Sequence, residues 1–176
     1  VENKHNRKGK LIFCQFKSEI AHLKNRLSAA GFNVAVIQGS TSKKERQYAI
    51  QSPVSTDDIA TIIDAKTTTR GAGAINIAHH INSFLAPDVL IAQIQTACEG
   101  LNLQHFNEVY FTTPHWNPAV EDQSIARAHR IGQTSTVNVY KFITTFSTDA
   151  TSLDQYCLNV QQIKREAASI IKPTKA

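Results

Sequence analysis

An α/β architecture built on a central, mainly parallel sheet is what this 176-residue sequence predicts, and three observations predict it. Short, nearly all-apolar runs recur along the chain, as strands covered on both faces require. Between the first two runs lies an amphipathic stretch of helical period. The joints are short, and strand, helix, strand in that order makes a right-handed parallel unit.

Taken in order, Leu11 to Phe16 reads as the first buried strand. Ser18 is placed to cap a following helix in which Ile20, Leu23, Leu27 and Ala30 recur at helical spacing, with Gly31 as its stop. Phe32 to Ile37 is the second strand, and Ser42 caps a helix through Lys43, Glu45, Arg46 and Ala49 that breaks by Ser52-Pro53. Residues 51–75 read as an insertion or elaborated loop, with a helix over 75–84. Val89 to Ile94 and Glu108 to Phe111 are the third and fourth strands. Ala119 to Ile131 is a helix with Pro118 in its first turn and Gly132 at its end. Thr136 to Ile143 alternates as a strand nearer an edge does, and Leu153 to Ile171 is the last helix. About five or six strands with helices on both faces are expected, with ligand-binding loops at the carboxyl ends of the strands.

A hydrophobic content of 41% in a chain of this length supports one core and one compact domain with short appendages. No apolar run reaches the roughly 18 residues of a membrane span, and no signal-like segment opens the chain, so a soluble intracellular domain is expected. Cys14, Cys98 and Cys157 are far apart and form no CxxC pair, which argues against a disulfide framework or a zinc knuckle. The sequence holds no Met and opens on the polar, basic VENKHNRKGK. An excised piece of a longer protein has this look, as does loss of an initiator Met before Val1. The formal charge is +5, with basic residues clustered at Lys4, Arg7, Lys8 and Lys10, at Lys43, Lys44 and Arg46, and at Lys164, Arg165, Lys172 and Lys175. Such clusters meet phosphate backbones or simply form solvated surface.

Gln123, Arg127 and Arg130 are spaced i, i+4 and i+7, so a continuous helix presents an amide and two guanidinium groups on one face. Guanidinium is permanently charged and forks onto phosphate oxygens. Taken as spacing alone, two arginines on a helix are more often a solvated face. The histidines offer no metal site: His79 and His80 are adjacent, and His115 and His129 lack a Cys or carboxylate at ligand spacing. No hydrolase triad is legible, since Cys14 falls in a buried strand where a thiolate is disfavoured. Trp116, on general grounds, reads as a core aromatic.

The words around the arginines resemble a known family. Ala126 to Gln133, ARAHRIGQ, is similar to the sixth helicase motif of Swi/Snf-type, superfamily-two DNA-dependent ATPases, and Trp116 to Gln123, WNPAVEDQ, resembles the stretch before it. Gln95 to Leu103 looks like the fifth motif, although Thr96-Ala97-Cys98-Glu99 stands where glycine-rich residues are usual. Leu11 to Phe16 resembles the fourth, and Gly39 to Arg46 the Gly, Ser, Arg-containing segment after the second strand.

The resemblance implies a RecA-like three-layer α/β/α sandwich, the second lobe of a P-loop NTPase. Residues 1–9 are then a basic leader, 10–150 the lobe, and 151–176 a terminal helix and tail. That helix either covers the sheet or acts as the family's brace towards the first lobe. Arg127 and Arg130 become arginine fingers, Gln123, Gly100 and Asn102 nucleotide-side residues, and Lys43, Lys44, Arg46, Asn102 and Trp116 DNA-side residues. ATP and Mg²⁺ are the implied cofactors. The implied partners are the first lobe of the same polypeptide, duplex DNA and nucleosomes or other DNA-bound proteins, with no membrane. The location would be nuclear in a eukaryote, and cytoplasmic or a viral factory otherwise. No GxxxxGK[ST] and no Asp-Glu dipeptide occur, so this chain by itself is expected to be inactive. A non-catalytic docking scaffold is the rival reading; an RNA-directed helicase fits the WNPAVEDQ and HRIGQ words less well.

Overall fold

The computed structural model describes residues 9–50, 87–97, 100–147 and 150–171. The insertion expected at 51–75, the helix expected over 75–84, Cys98, Glu99 and nearly all of the basic leader lie outside the described residues. The elements are β1 (Gly9–Cys14), α1 (Lys17–Ala29), β2 (Val34–Ile37), α2 (Lys43–Ala49), β3 (Val89–Gln93), α3 (Ile94–Ala97), β4 (Phe106–Phe111), α4 (Pro118–Ala128), β5 (Asn138–Lys141) and α5 (Leu153–Ile171). The five described strands form one sheet in the order β2-β3-β1-β4-β5, and every pairing is parallel.

The all-apolar strands follow from this topology, because successive side chains leave a strand on opposite faces and both faces are covered. Ile12, Cys14, Val34, Val36, Val89 and Ile91 pack against Ile20, Leu23 and Leu27 of α1. Leu11, Phe13, Ile37, Leu90, Ala92, Val109 and Phe111 face the other way, onto Ala49 of α2 and Ala128 of α4, with Val120 and Ile125 at the margin. The result is the three-layer sandwich the sequence implies. Each large side chain fully withdrawn from water contributes about 1.5–3 kcal/mol. At the edge, β5 is exposed along its length, and Tyr140 stacks on its parallel-register neighbour Tyr110 with ring centroids 4.9 Å apart.

Several boundaries differ from those expected, each for a local reason. Helix α1 begins before Ser18: the Glu19 carboxylate accepts from the backbone N–H of Gln15 at 3.2 Å and of Phe16 at 3.1 Å, so it does the capping and Ser18 sits exposed in the first turn. Phe32 is not in β2, since its N–H folds back onto the Leu27 carbonyl at 3.1 Å after Gly31. Ser42 caps α2 as expected, in a reciprocal box with Glu45. Ile94 leaves the sheet to begin α3, a helical turn the apolar run concealed. Helix α4 stops at Ala128, three residues short of Ile131, because His129 takes φ −87° and ψ 83°. This last difference matters for the site.

Candidate functional site

The loop before β4 and the segment after α4 meet at the amino end of the sheet. Leu101 and Leu103 are buried and anchor the loop, leaving Asn102 exposed between them, while Gly100 takes φ +67°. The Leu103 N–H donates to the Arg127 carbonyl at 3.1 Å, and the N–H of Phe106, first residue of β4, donates to Leu103 at 3.0 Å. Gly100, Asn102 and Arg127 therefore belong to one knot of backbone. Arg127 is half-buried, Gln123 one turn earlier on α4 is exposed, and Arg130 is exposed.

Arg130 corrects the expectation of a single helical face. With α4 ended at Ala128, it is carried by a turn, not at i+7 along a helix. That turn is itself held. The Gln133 side-chain amide donates to the carbonyls of Gln104 at 2.6 Å, Phe106 at 3.3 Å and Ala128 at 3.3 Å, and the Gln104 amide donates to the Ile131 carbonyl. Gly132 sits at φ +100°, a backbone conformation that calls for glycine. Ile131, beside Arg130, is 96% exposed. The arginines also depart from the expected carboxyl-end location, because the chain runs back along α4 before reaching them.

The chemistry of this knot suits an oxyanion. It offers two guanidinium groups, the amides of Gln123 and Asn102, and no carboxylate between Gly100 and Phe106 or between Arg127 and Gln133. Such a set fits contact with phosphate oxygens, and neither stretch brings a carboxylate for Mg²⁺.

The other candidates lie beyond the carboxyl ends of the strands. Lys43 and Lys44 are exposed in the first turn of α2. Arg46 is partly committed to shaping the turn after β2, with Nε on the Thr41 carbonyl at 3.0 Å and Nη2 on that of Gln38 at 3.3 Å. Trp116 follows β4 and is 52% exposed, which overturns the core reading. The Lys164 ammonium of α5 lies 4.5 Å from its ring centre and donates to its carbonyl at 3.1 Å. The structure thus separates Asn102, beside the arginines, from the lysines and Trp116.

One functional-looking residue escaped sequence reasoning. Glu121 of α4 is fully buried, its carboxylate accepting from the His115 N–H at 2.6 Å and the Gln161 amide at 2.8 Å and pairing with Lys141. Gln161 also donates to the His115 carbonyl at 2.6 Å, and Arg165 grips Asp122 at 2.9 and 2.8 Å. Helix α5 therefore packs back on the start of α4 and the Trp116 loop. A charged residue flanked by Val120 and Asp122 gives no sign of this, since three of its partners lie on other elements.

An all-parallel sheet with helices on both faces and an arginine-bearing turn beside the fourth strand defines a RecA-like second lobe. The chain belongs to the helicase conserved C-terminal domain family, which matches residues 1–132. It is 29% identical over 159 residues to the helicase-like transcription factor of Homo sapiens, covering 90% of this chain and 13% of that protein. Identity is also 29% over 159 residues to a putative SWI/SNF-related matrix-associated actin-dependent regulator of chromatin, subfamily A member 3-like 1, of Arabidopsis thaliana, covering 90% of this chain and 14% of the relative. The TATA-binding protein-associated factor mot1 of Aspergillus fumigatus is 36% identical over 96 residues, 54% of this chain and 5% of its own length. These names bear out the Swi/Snf-type resemblance, and the chain spans only about a seventh of such relatives or less. The C-terminal part of the Fun30 ATPase domain shares the fold, with a TM-score of 0.57 at 20% identity over 93% of this chain and 49% of that one.

Proposed function

We propose that this chain is the second lobe of an ATP-dependent duplex-DNA translocase of the Swi/Snf type, acting on chromatin or other DNA-bound protein and nuclear in a eukaryotic cell. The observation that carries the reading is the exposed Arg130 held on the same backbone knot as Arg127. Two guanidinium groups fixed at a rim can stabilise charge that develops on phosphate oxygens presented by a neighbouring lobe. ATP with Mg²⁺, held by that first lobe, would supply the reacting phosphoryl group. This chain's share is then the fingers Arg127 and Arg130, with Gln123, Gly100 and Asn102 alongside. Lys43, Lys44 and Trp116 meet the DNA backbone, where contact fixes position and reads little sequence, and Arg46 joins them on that side while shaping the turn before α2.

The test is ATP turnover with and without duplex DNA in the full-length protein. Arg127→Ala or Arg130→Ala is expected to lower turnover by roughly 10³-fold while DNA binding is retained. Turnover that survives both changes would sink the finger assignment. Absence of any turnover in the unaltered protein would favour the docking scaffold. The residues 1–176 on their own are expected to hydrolyse no ATP, for want of a phosphate loop.

A further inference from the structure

We propose that Gln133 is a positioning residue for Arg130, an inference that rests on reading Arg130 as a finger. The Gln133 amide reaches three carbonyls on three stretches of chain: Gln104 in the loop, Phe106 at the head of β4, and Ala128 at the end of α4. Its Oε1 accepts the Ser135 N–H at 2.9 Å, and its own backbone N–H donates to the Arg130 carbonyl at 3.0 Å. On the other side, Gln104 holds the Ile131 carbonyl. The two glutamines exchange contacts through each other's segments, so the backbone of Arg130 to Gly132 is fixed while the guanidinium stays exposed.

An uncharged amide suits this place. The end of α4 leaves carbonyls without helical partners, and two N–H groups answer them without setting a third cation beside two guanidinium groups. A loop left unclasped would have to order itself at every turnover, at a cost in backbone conformational entropy. Misplacement by about 1 Å is enough to lower a rate on the order of 10²-fold. Gln133 touches no substrate in this scheme; it acts through Arg130.

The experiment uses the full-length protein with duplex DNA. Gln133→Met keeps length and volume but has no N–H to donate. It is expected to lower kcat roughly 30- to 100-fold, with KM for ATP and the Kd for DNA within about twofold of the parent. The double variant Gln133→Met with Arg130→Ala should turn over no more slowly than Arg130→Ala alone, a result that simple loss of fold would not give. Should Gln133→Met fold poorly, Gln104→Met removes the reciprocal half of the clasp and is carried through the same cycle. Unchanged kcat, or losses that multiply in the double variant while Arg130→Ala is itself damaging, overturns the positioning role and leaves the finger reading intact. A harmless Arg130→Ala overturns both.

Discussion

The side-chain amide of Gln161 donates to the carboxylate of Glu121 at 2.8 Å, joining the last helix to the helix that carries Arg127. Because this carboxylate is wholly buried and also receives the His115 N–H and pairs with Lys141, its removal strands three donors at once. Glu121→Ala is expected to cost about 3 kcal/mol of stability. Urea unfolding of the domain measures it, and a loss below about 1 kcal/mol would mean that water replaces the carboxylate.

Trp116 stands on the surface under the Lys164 ammonium, so truncating it removes little that the core relies on. Trp116→Ala should change folding stability by no more than about 1 kcal/mol. Under the proposed function it should also weaken DNA stimulation of ATP turnover in the full-length protein. Large destabilisation with intact stimulation would restore the core role.

Phe13 and Phe111 sit on neighbouring strands with ring centroids 5.2 Å apart, both withdrawn from solvent. Phe111→Ala empties the centre of the larger cluster and is expected to cost about 3–5 kcal/mol. Phe142→Ala, at an exposed position beyond β5, should cost far less. Comparing the two by thermal unfolding tests whether the larger core carries the stability.

Burial holds the His105 imidazole below its ordinary pKa of 6.5. The unfolded chain therefore binds this proton more readily than the folded one, and folding loses stability as pH falls below about 6.5 towards the lowered value. Above 6.5 this contribution is flat. Denaturant midpoints between pH 5 and 8 should show such a slope, and His105→Gln should flatten it. An unchanged slope in the variant would assign it to other groups.

The Cys14 thiol, buried in β1, is pushed up to about 11 by desolvation, against a lowering contact from Thr112. A thiol so held is almost wholly protonated near neutrality and reacts slowly. Maleimide labelling of the native protein, mapped by mass spectrometry, should mark half-buried Cys157 well before Cys14, and equal labelling would contradict the buried assignment.

The parallel sheet was legible because a strand covered on both faces has to be apolar at successive positions, as Val89 to Ala92 are. The exposed edge of β5 was legible too, from the alternation around Val137, Val139 and Lys141. Ser42 was read correctly as the cap of α2, whereas at α1 the N-cap position is Phe16, which has no side-chain acceptor, so Ser18 drew the assignment that Glu19 in fact fills.

The candidate site was legible in its residue types and not in its placement. Its arginines and their neighbours in ARAHRIGQ were visible as residue types and as a family resemblance. Where Arg130 stands was not, because α4 is ended by a backbone turn that Gln133 secures to Gln104 and Phe106, 29 and 27 positions away. Trp116 reads as core until Lys164, 48 residues on, covers its ring at the surface.

The sequence by itself determined the alternation of buried strands and amphipathic helices, the family, and the presence of a cationic segment near its end. Only the tertiary structure decided that Arg127 and Arg130 share a knot at the amino end of the sheet, that Asn102 joins them, and that Glu121 is buried. Periodicity and local hydrogen bonds are written in residues a few places apart, whereas a side chain's exposure and partners depend on which distant segments the sheet order brings beside it.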